Sequence, residues 1–172
     1  MMKVYLLDTN FTSALWDGLN PHHETARTFL SGLGDSIIYI SRLVEAEILY
    51  GHKVHESSDP ARRKQIEETM RAFPLVREID QHTTNPYSDI RAALFKQFAP
   101  RDKKGKLKKL RPESLVDNTT SKELEIQEND LWMASIAVQH KMFLVTEDKM
   151  KRIKEVWPAL ELVTWKPASP TS

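Results

Sequence analysis

Residues 128–148, ENDLWMASIAVQHKMFLVTED, place a helix directly before a strand and an acid directly after it. Leu131 to Val138 is apolar on nearly every face, the pattern of a helix buried centrally rather than laid on a surface. His140 and Lys141 close it, and Met142 to Val145 is an apolar run of strand length. A buried helix feeding a buried strand suits an α/β protein with a parallel sheet covered on both faces. In that architecture ligands bind beyond the carboxyl ends of the strands, so Asp148, just past this strand, is a candidate for chemistry.

The same alternation extends in both directions. Val4 to Leu7 is a short apolar run ending at Asp8-Thr9-Asn10, which predicts a buried strand and then a capped helix. Ala26, Phe29, Leu30 and Leu33 recur at helical spacing until Gly34-Asp35, and the β-branched run Ile37 to Ile40 predicts a second buried strand. Ser41 is a good N-cap for a helix from about Arg42 to His52, with Glu45 and Glu47 inside its apolar stretch. Asp59-Pro60 opens another helix, Pro74 a possible strand from Leu75 to Ile79, and Tyr87, Ile90, Leu94 and Phe98 mark a helix ended by Pro100. After Asp148, a short helix from Met150 to Trp157 and a strand from Leu160 to Trp165 precede a Pro/Ser/Thr-rich tail, 167–172, expected to be flexible.

Composition narrows the classes. With 172 residues and 40% apolar content, the chain is expected to form one domain over residues 1–166. There is no cysteine, so disulfides, thiolate nucleophiles and the usual structural zinc sites are excluded, and any metal must use oxygen or histidine ligands. The opening apolar run is too short for a signal or membrane segment, and nothing later approaches a span of roughly 18 apolar residues, so the expected location is the cytoplasm, without membrane attachment. A formal net charge of +1 gives no global sign of a nucleic-acid binder, so any basic surface must be local.

One stretch supplies it. Residues 101–111 carry Arg101, Lys103, Lys104, Lys106, Lys108, Lys109 and Arg111 against the single acid Asp102. A local charge of +6 in a chain of +1 leaves −5 for the remainder. Between Pro100 and Glu123 the hydrophobic period disappears, which predicts a mobile, solvent-exposed basic insertion near 100–124. It is either plain solvated surface or the contact for a nucleic-acid backbone, which a protein acidic elsewhere needs if it is to hold a polyanion.

Four acids fall where one crevice can collect them: Asp8 at the end of the first strand, Glu47 in the helix after the second, Asp130 at the start of the buried helix, and Asp148. Gathering carboxylates costs several kcal/mol in repulsion and desolvation unless a cation neutralises them. Hard oxygen ligands favour Mg²⁺ or Mn²⁺. Such ions polarise phosphoryl oxygens, lower the pKa of water and stabilise a leaving alkoxide, which points to phosphodiester hydrolysis. Taken singly, Asp8 and Asp148 are equally explained as helix caps, and Asp130 as a first-turn acid favoured by the helix dipole. Glu47 is harder to dismiss, since Leu43, Val44 and Tyr50 surround it at helical spacing. Glu45 and Glu128 compete for the corresponding roles.

The joint pattern resembles the PIN-domain nucleases, especially the VapC-like toxins. LLDTN at 6–10 is similar to the family's opening strand and first acid, and ISRLVEAEILYG at 40–51 to its second block, where the acid four residues before glycine selects Glu47. The run 128–153 resembles the family's acid, Ala-rich helix, strand and Thr-x-Asp turn, selecting Asp130, Thr146 and Asp148. The resemblance implies a PIN-like three-layer α/β/α sandwich and Mg²⁺-dependent cleavage of RNA, with Asp8 and Asp130 as direct metal ligands. Asn10 and Thr146 would orient the site. It also implies a homodimer inhibited by a small antitoxin, with which the apolar early helices and the acidic remainder of the chain agree. The basic insertion departs from the family, where a shorter connection is expected.

Other readings fit less well. His22-His23 and the pair His52 and His55 match no zinc-enzyme spacing and read as surface histidines. Arg62, Arg63 and Lys64 read as a solvated helix face. A receiver-like module would show paired acids near its first strand, and an aspartyl phosphatase needs a second Asp where this chain has Asn10. A PIN-like domain that binds RNA or protein without cutting remains the alternative to an enzyme.

Overall fold

β1 (Val4–Leu7) is buried on both faces, with Leu6 and Leu7 inaccessible to solvent, as an uninterrupted apolar run requires at the centre of a parallel sheet. The computed structural model describes residues 2–54, 59–72, 76–108, 111–147 and 150–166. Outside them lie Asp148, Lys109, His55, the proposed strand start at Pro74 and Leu75, and the tail. β2 (Ile37–Ser41) runs parallel to β1 in the register Val4↔Ile37 and Leu6↔Tyr39. β3 (Val76–Arg77), shorter than expected, runs parallel to β2 through Ile40↔Val76. With β4 (Phe143–Thr146) and β5 (Glu161–Thr164) the sheet order is β3-β2-β1-β4-β5, so β1 is central. The α/β class with a central parallel sheet is therefore the observed one.

The chain separates into two compact units. The first contains Met1–Glu78, Val145–Glu147 and Val163–Ser172, hence β1 to β3 and the C-terminal halves of β4 and β5. Its helices are α1 (Thr9–Trp16), α2 (His23–Gly32), α3 (Arg42–Val54) and α4 (Pro60–Ala72). Ser41 caps α3 by accepting from the Val44 amide at 3.3 Å, and Asp59 holds the start of α4 by accepting from the Ala61 amide at 2.9 Å. Phe11 of α1 is fully buried, edge-on to Phe29 and Trp165 at 5.5 and 5.2 Å. α1 packs on α2 and α3, and α3 on α4.

The second unit holds α5 (Thr84–Phe98), α6 (Glu128–His140) and α7 (Lys151–Val156). α6 buries Leu131 and every residue from Met133 to Ala137, as its all-round apolar sequence demands. Lys141 ends it in the left-handed conformation, φ +52°. α5 packs on α6 and α7, and Tyr87 stacks on Trp132 with ring centroids 3.8 Å apart.

The basic insertion differs from the mobile stretch expected. Asp102 accepts from the amides of Lys104 and Lys106 at 2.8 and 2.9 Å, Arg101 donates to the Gly105 carbonyl, and Arg101 pairs with Leu107 across the turn. Gly105 sits at φ +77°, which favours a residue without Cβ. The lysines of this turn are exposed, as expected. Further on, Leu115, Leu124 and Ile126 are buried, and Arg152 of α7 pairs with Asp117 at 2.5 Å. Three apolar side chains at irregular spacing carry no period, so they are invisible to a periodicity reading yet anchor the segment. Ile126→Ala should cost about 2–5 kcal/mol in denaturant unfolding, as for other buried large-to-small changes; a loss below about 1 kcal/mol would mean that the anchor is not packed. Among the described residues no helix is long and apolar enough to cross a membrane.

Candidate active site

Asp8 occupies the carboxyl end of the central strand and opens α1. Its amide donates to the Val145 carbonyl at 3.1 Å, tying it to β4, and its carbonyl accepts from the amide and hydroxyl of Thr12 at 3.0 and 2.6 Å. One carboxylate oxygen accepts from the Phe11 amide at 2.7 Å, the N-cap expected of an Asp at this position. Thr146, at the end of β4, hydrogen-bonds the carboxylate through its side chain, and the Glu147 amide does so as well.

These donors are all neutral. Asp8 is only 5% exposed, and burial pushes its carboxyl from 3.8 up to about 6. The bonds from Thr146, Phe11 and the Glu147 amide pull the other way, while the nearby Glu147 carboxylate adds to the rise. Glu147 is itself held by Lys166, whose Nζ lies 2.5 Å from Oε1. The site thus contains a buried carboxylate supported by dipoles, with a second negative charge beside it.

Glu47 is half-buried on α3 and accepts a hydrogen bond from the hydroxyl of Thr9, the residue after Asp8. Thr9 thereby links the turn after β1 to the second acid block. Both line a cleft of about 230 Å³. Neither Thr9 nor Glu147 was singled out from the sequence, although each directly adjoins a residue that was. Of the two competing acids, Glu45 pairs with Arg42 at 2.6 Å, and Glu128 with Arg91 at 3.0 Å while accepting from the Tyr87 hydroxyl. Asn10 is exposed.

Asp130 belongs to the second unit, as the third residue of α6. Its carboxylate accepts from the Gln127 amide at 2.8 Å, and the Gln127 side chain accepts from the Asp130 amide, a reciprocal capping box. Among the described residues no group of three or more His, Asp or Glu side chains forms a ready metal cage. Mg²⁺ does not require one, since it keeps several waters and is commonly held by one or two carboxylates. A buried carboxylate with only neutral donors fits such a cation, which would relieve the penalty that raises the carboxyl of Asp8.

The chain's similarity to known proteins agrees with this geometry. VapBC2 from Rickettsia felis, solved bound to a DNA fragment from its promoter, is 25% identical, with a TM-score of 0.64 over 95% of this chain and 99% of that one. DNA-bound VapBC from Salmonella typhimurium is 20% identical, with a TM-score of 0.62 over 96% and 100% of the two chains. VapBC-5 from Mycobacterium tuberculosis, a member of the VapBC family of toxin-antitoxin systems, is 15% identical, with a TM-score of 0.53 over 94% and 96%. Comparison with curated proteins gives no match. The PIN domain family model matches residues 5–156. With that match across most of its length, on an α/β fold whose central strand ends in a buried acid, the chain belongs to the PIN domain family.

Proposed function

We propose that this protein is a Mg²⁺-dependent endoribonuclease, with Mn²⁺ able to substitute, acting as the toxin of a type II toxin-antitoxin pair. The observation that carries the reading is the buried Asp8 carboxylate, held by neutral donors at the end of the central strand with its carboxyl raised to about 6. Capping α1 needs only a neutral acceptor, whereas burying a charge there opposes folding unless a cation offsets it, which makes Asp8 a candidate for metal chemistry. A bound Mg²⁺ would supply Lewis acidity to the phosphoryl group and lower the pKa of the attacking water. Asp8 and Asp130 are assigned as direct ligands, with Glu47 and Asp148 completing the site; the assignments of Asp130 and Asp148 are carried over from the sequence pattern. Thr146 orients Asp8 by its hydrogen bond, Thr9 orients Glu47, and Asn10 has a lesser supporting role.

The toxin role is supported by the toxin-antitoxin systems to which the VapBC relatives belong. The exposed Tyr50 and Val54 on α3 offer apolar surface for a small antitoxin or a second copy of the chain. The deciding experiment is incubation of purified protein with RNA, in Mg²⁺ and in EDTA, followed by mapping of the new ends. Discrete metal-dependent ends support the enzyme, whereas RNA bound and left intact in Mg²⁺ would establish the non-catalytic alternative.

The folded basic turn is assigned to RNA affinity. If about three of its charges neutralise backbone phosphates, the logarithmic dependence of single-strand binding on salt should have a slope of about −2, from roughly −0.7 per contact. Replacing Lys103, Lys104, Lys106, Lys108 and Lys109 with glutamine should flatten that slope and raise KM while leaving kcat nearly constant. An unchanged slope would make the turn solvated surface only.

A further inference from the structure

The cleft of about 230 Å³ is lined from α1, α3 and α4 of the first unit and includes Thr9 and Glu47. It is smaller than the roughly 300–1,000 Å³ typical of drug-sized ligand sites and suits a single ring system. Trp16, Ile48 and Ile66 give it apolar surface, while Ser13, Asp17 and His52 add directional polar groups. Asp17 is held by the Leu19 amide at 3.0 Å and by the Arg62 guanidinium, so its carboxylate is fixed in place. With Asp17 already engaged by Arg62, Glu47 leaves the cleft weakly acidic, which does not favour a phosphate. The two carboxylates can accept from the N–H groups on the edge of a neutral heterocycle.

We infer that this cleft receives one unstacked nucleobase of the RNA substrate, next to the scissile phosphate, with Trp16 as its stacking surface. The inference rests on the proposed RNA cleavage and adds where sequence preference is read. Three observations carry it: the cleft shares Glu47 with the proposed catalytic site, its size fits one base, and its lining includes both an aromatic side chain, Trp16, and two acids, Asp17 and Glu47. Sequence-specific recognition of single-stranded RNA uses this combination of stacking and edge hydrogen bonds.

Gly51 allows a test that removes no packing. It lies on α3 and lines the cleft, and a Cβ built on it meets nothing within 4 Å, so Gly51→Leu should occupy the space while favouring the helix. A short RNA containing the mapped cleavage position is titrated in EDTA, intact and with single abasic sites on either side of the cut. One abasic position should lower affinity roughly 5- to 150-fold, the range that stacking contributes per base. Gly51→Leu and Trp16→Ala should each cost a similar factor on intact RNA and nothing further on that abasic RNA. Equal affinity for intact and abasic RNA by the wild type, a measurement that needs no variant, would overturn the inference while leaving cleavage intact. So would Gly51→Leu blocking an antitoxin peptide but not RNA, which would assign the cleft to a protein side chain. If the wild type cuts no RNA at all, the underlying function fails, and the cleft assignment with it.

Discussion

Asp8→Asn is expected to abolish RNA cleavage and, in the absence of metal, to gain stability relative to the wild type as pH rises to neutral. Asparagine keeps an oxygen that can accept from the Phe11 amide, so the N-cap of α1 survives. What disappears is the charge, together with one acceptor oxygen, because the amide NH2 that replaces it cannot accept from Thr146 or the Glu147 amide. The Asp8 carboxyl titrates at about 6 in the folded protein against 3.8 ordinarily, so between those values the folded state holds a proton that the unfolded chain has released. The wild type is therefore unpenalised below about pH 4, loses stability as pH rises through about 6, and at pH 7.5 carries a cost on the order of 3 kcal/mol. The stability of Asp8→Asn relative to the wild type in EDTA should rise by about that figure between pH 4 and pH 7.5, from an offset at pH 4 set by the lost acceptor. Mg²⁺ should raise the melting temperature of the wild type only, because a ligand stabilises the state that binds it. Cleavage should fall by more than about 100-fold, since even residues that merely support metal ligands cost about 10–100-fold. Chemical denaturation at several pH values, with and without metal, checks the first part. A variant whose relative stability stayed flat over that pH range would refute the buried-charge account, and one cutting RNA at near wild-type rate would remove Asp8 from catalysis.

Asp130 gives the second large effect, because it has a structural task as well as a proposed chemical one. Its carboxylate closes the capping box of α6, the most deeply buried helix. Asp130→Asn retains an acceptor for the Gln127 amide and loses only the charge at the helix N-terminus, a cost of about 0.3–1 kcal/mol. Asp130→Ala also loses the acceptor and should cost about 0.5–2 kcal/mol, as other capping losses do. If Asp130 is a metal ligand, cleavage should fall by more than about 100-fold in both variants, although both remain folded at the assay temperature. If it is only a cap, Asp130→Asn should retain nearly full kcat, and any loss in Asp130→Ala should follow its fraction unfolded. Measuring stability and kcat on the same two variants separates the roles.

Periodicity and caps made most of the architecture legible. Val4 to Leu7, Ile37 to Ile40 and the run from Leu131 to Val145 announce buried strands and a buried helix, because an element enclosed on all sides has no polar face to interrupt it. Ser41, Asp59 and Lys141 mark helix ends through local bonding and backbone preference, which act over three or four residues and so can be read in order along the chain. Asp8, Glu47 and Thr146 stand out as a set only through the resemblance of three separate blocks to the PIN family, since spacing by itself leaves Glu45 as a rival of Glu47.

What only the tertiary structure decided depends on residues far apart in the chain. The bond from Thr9 to Glu47 spans 38 positions, and no local pattern encodes it. The burial of Asp8, the charge of Glu147 beside it and the hold of Lys166 on Glu147 arise because β1, β4 and the end of the chain meet in the sheet. The same is true of Glu128, whose sequence position rivals that of Asp130: packing brings Arg91, 37 positions earlier, to it, whereas the pairing of Glu45 with Arg42 is local to α3. The insertion and the residues just after it show the limit most plainly, since Leu115, Leu124 and Ile126 have no period and become an anchor only where the surrounding fold provides a core for them. Sequence determines which residues favour burial, capping or charge; the desolvation and pairing that turn a carboxylate into a candidate ligand exist only once the chain has closed around it.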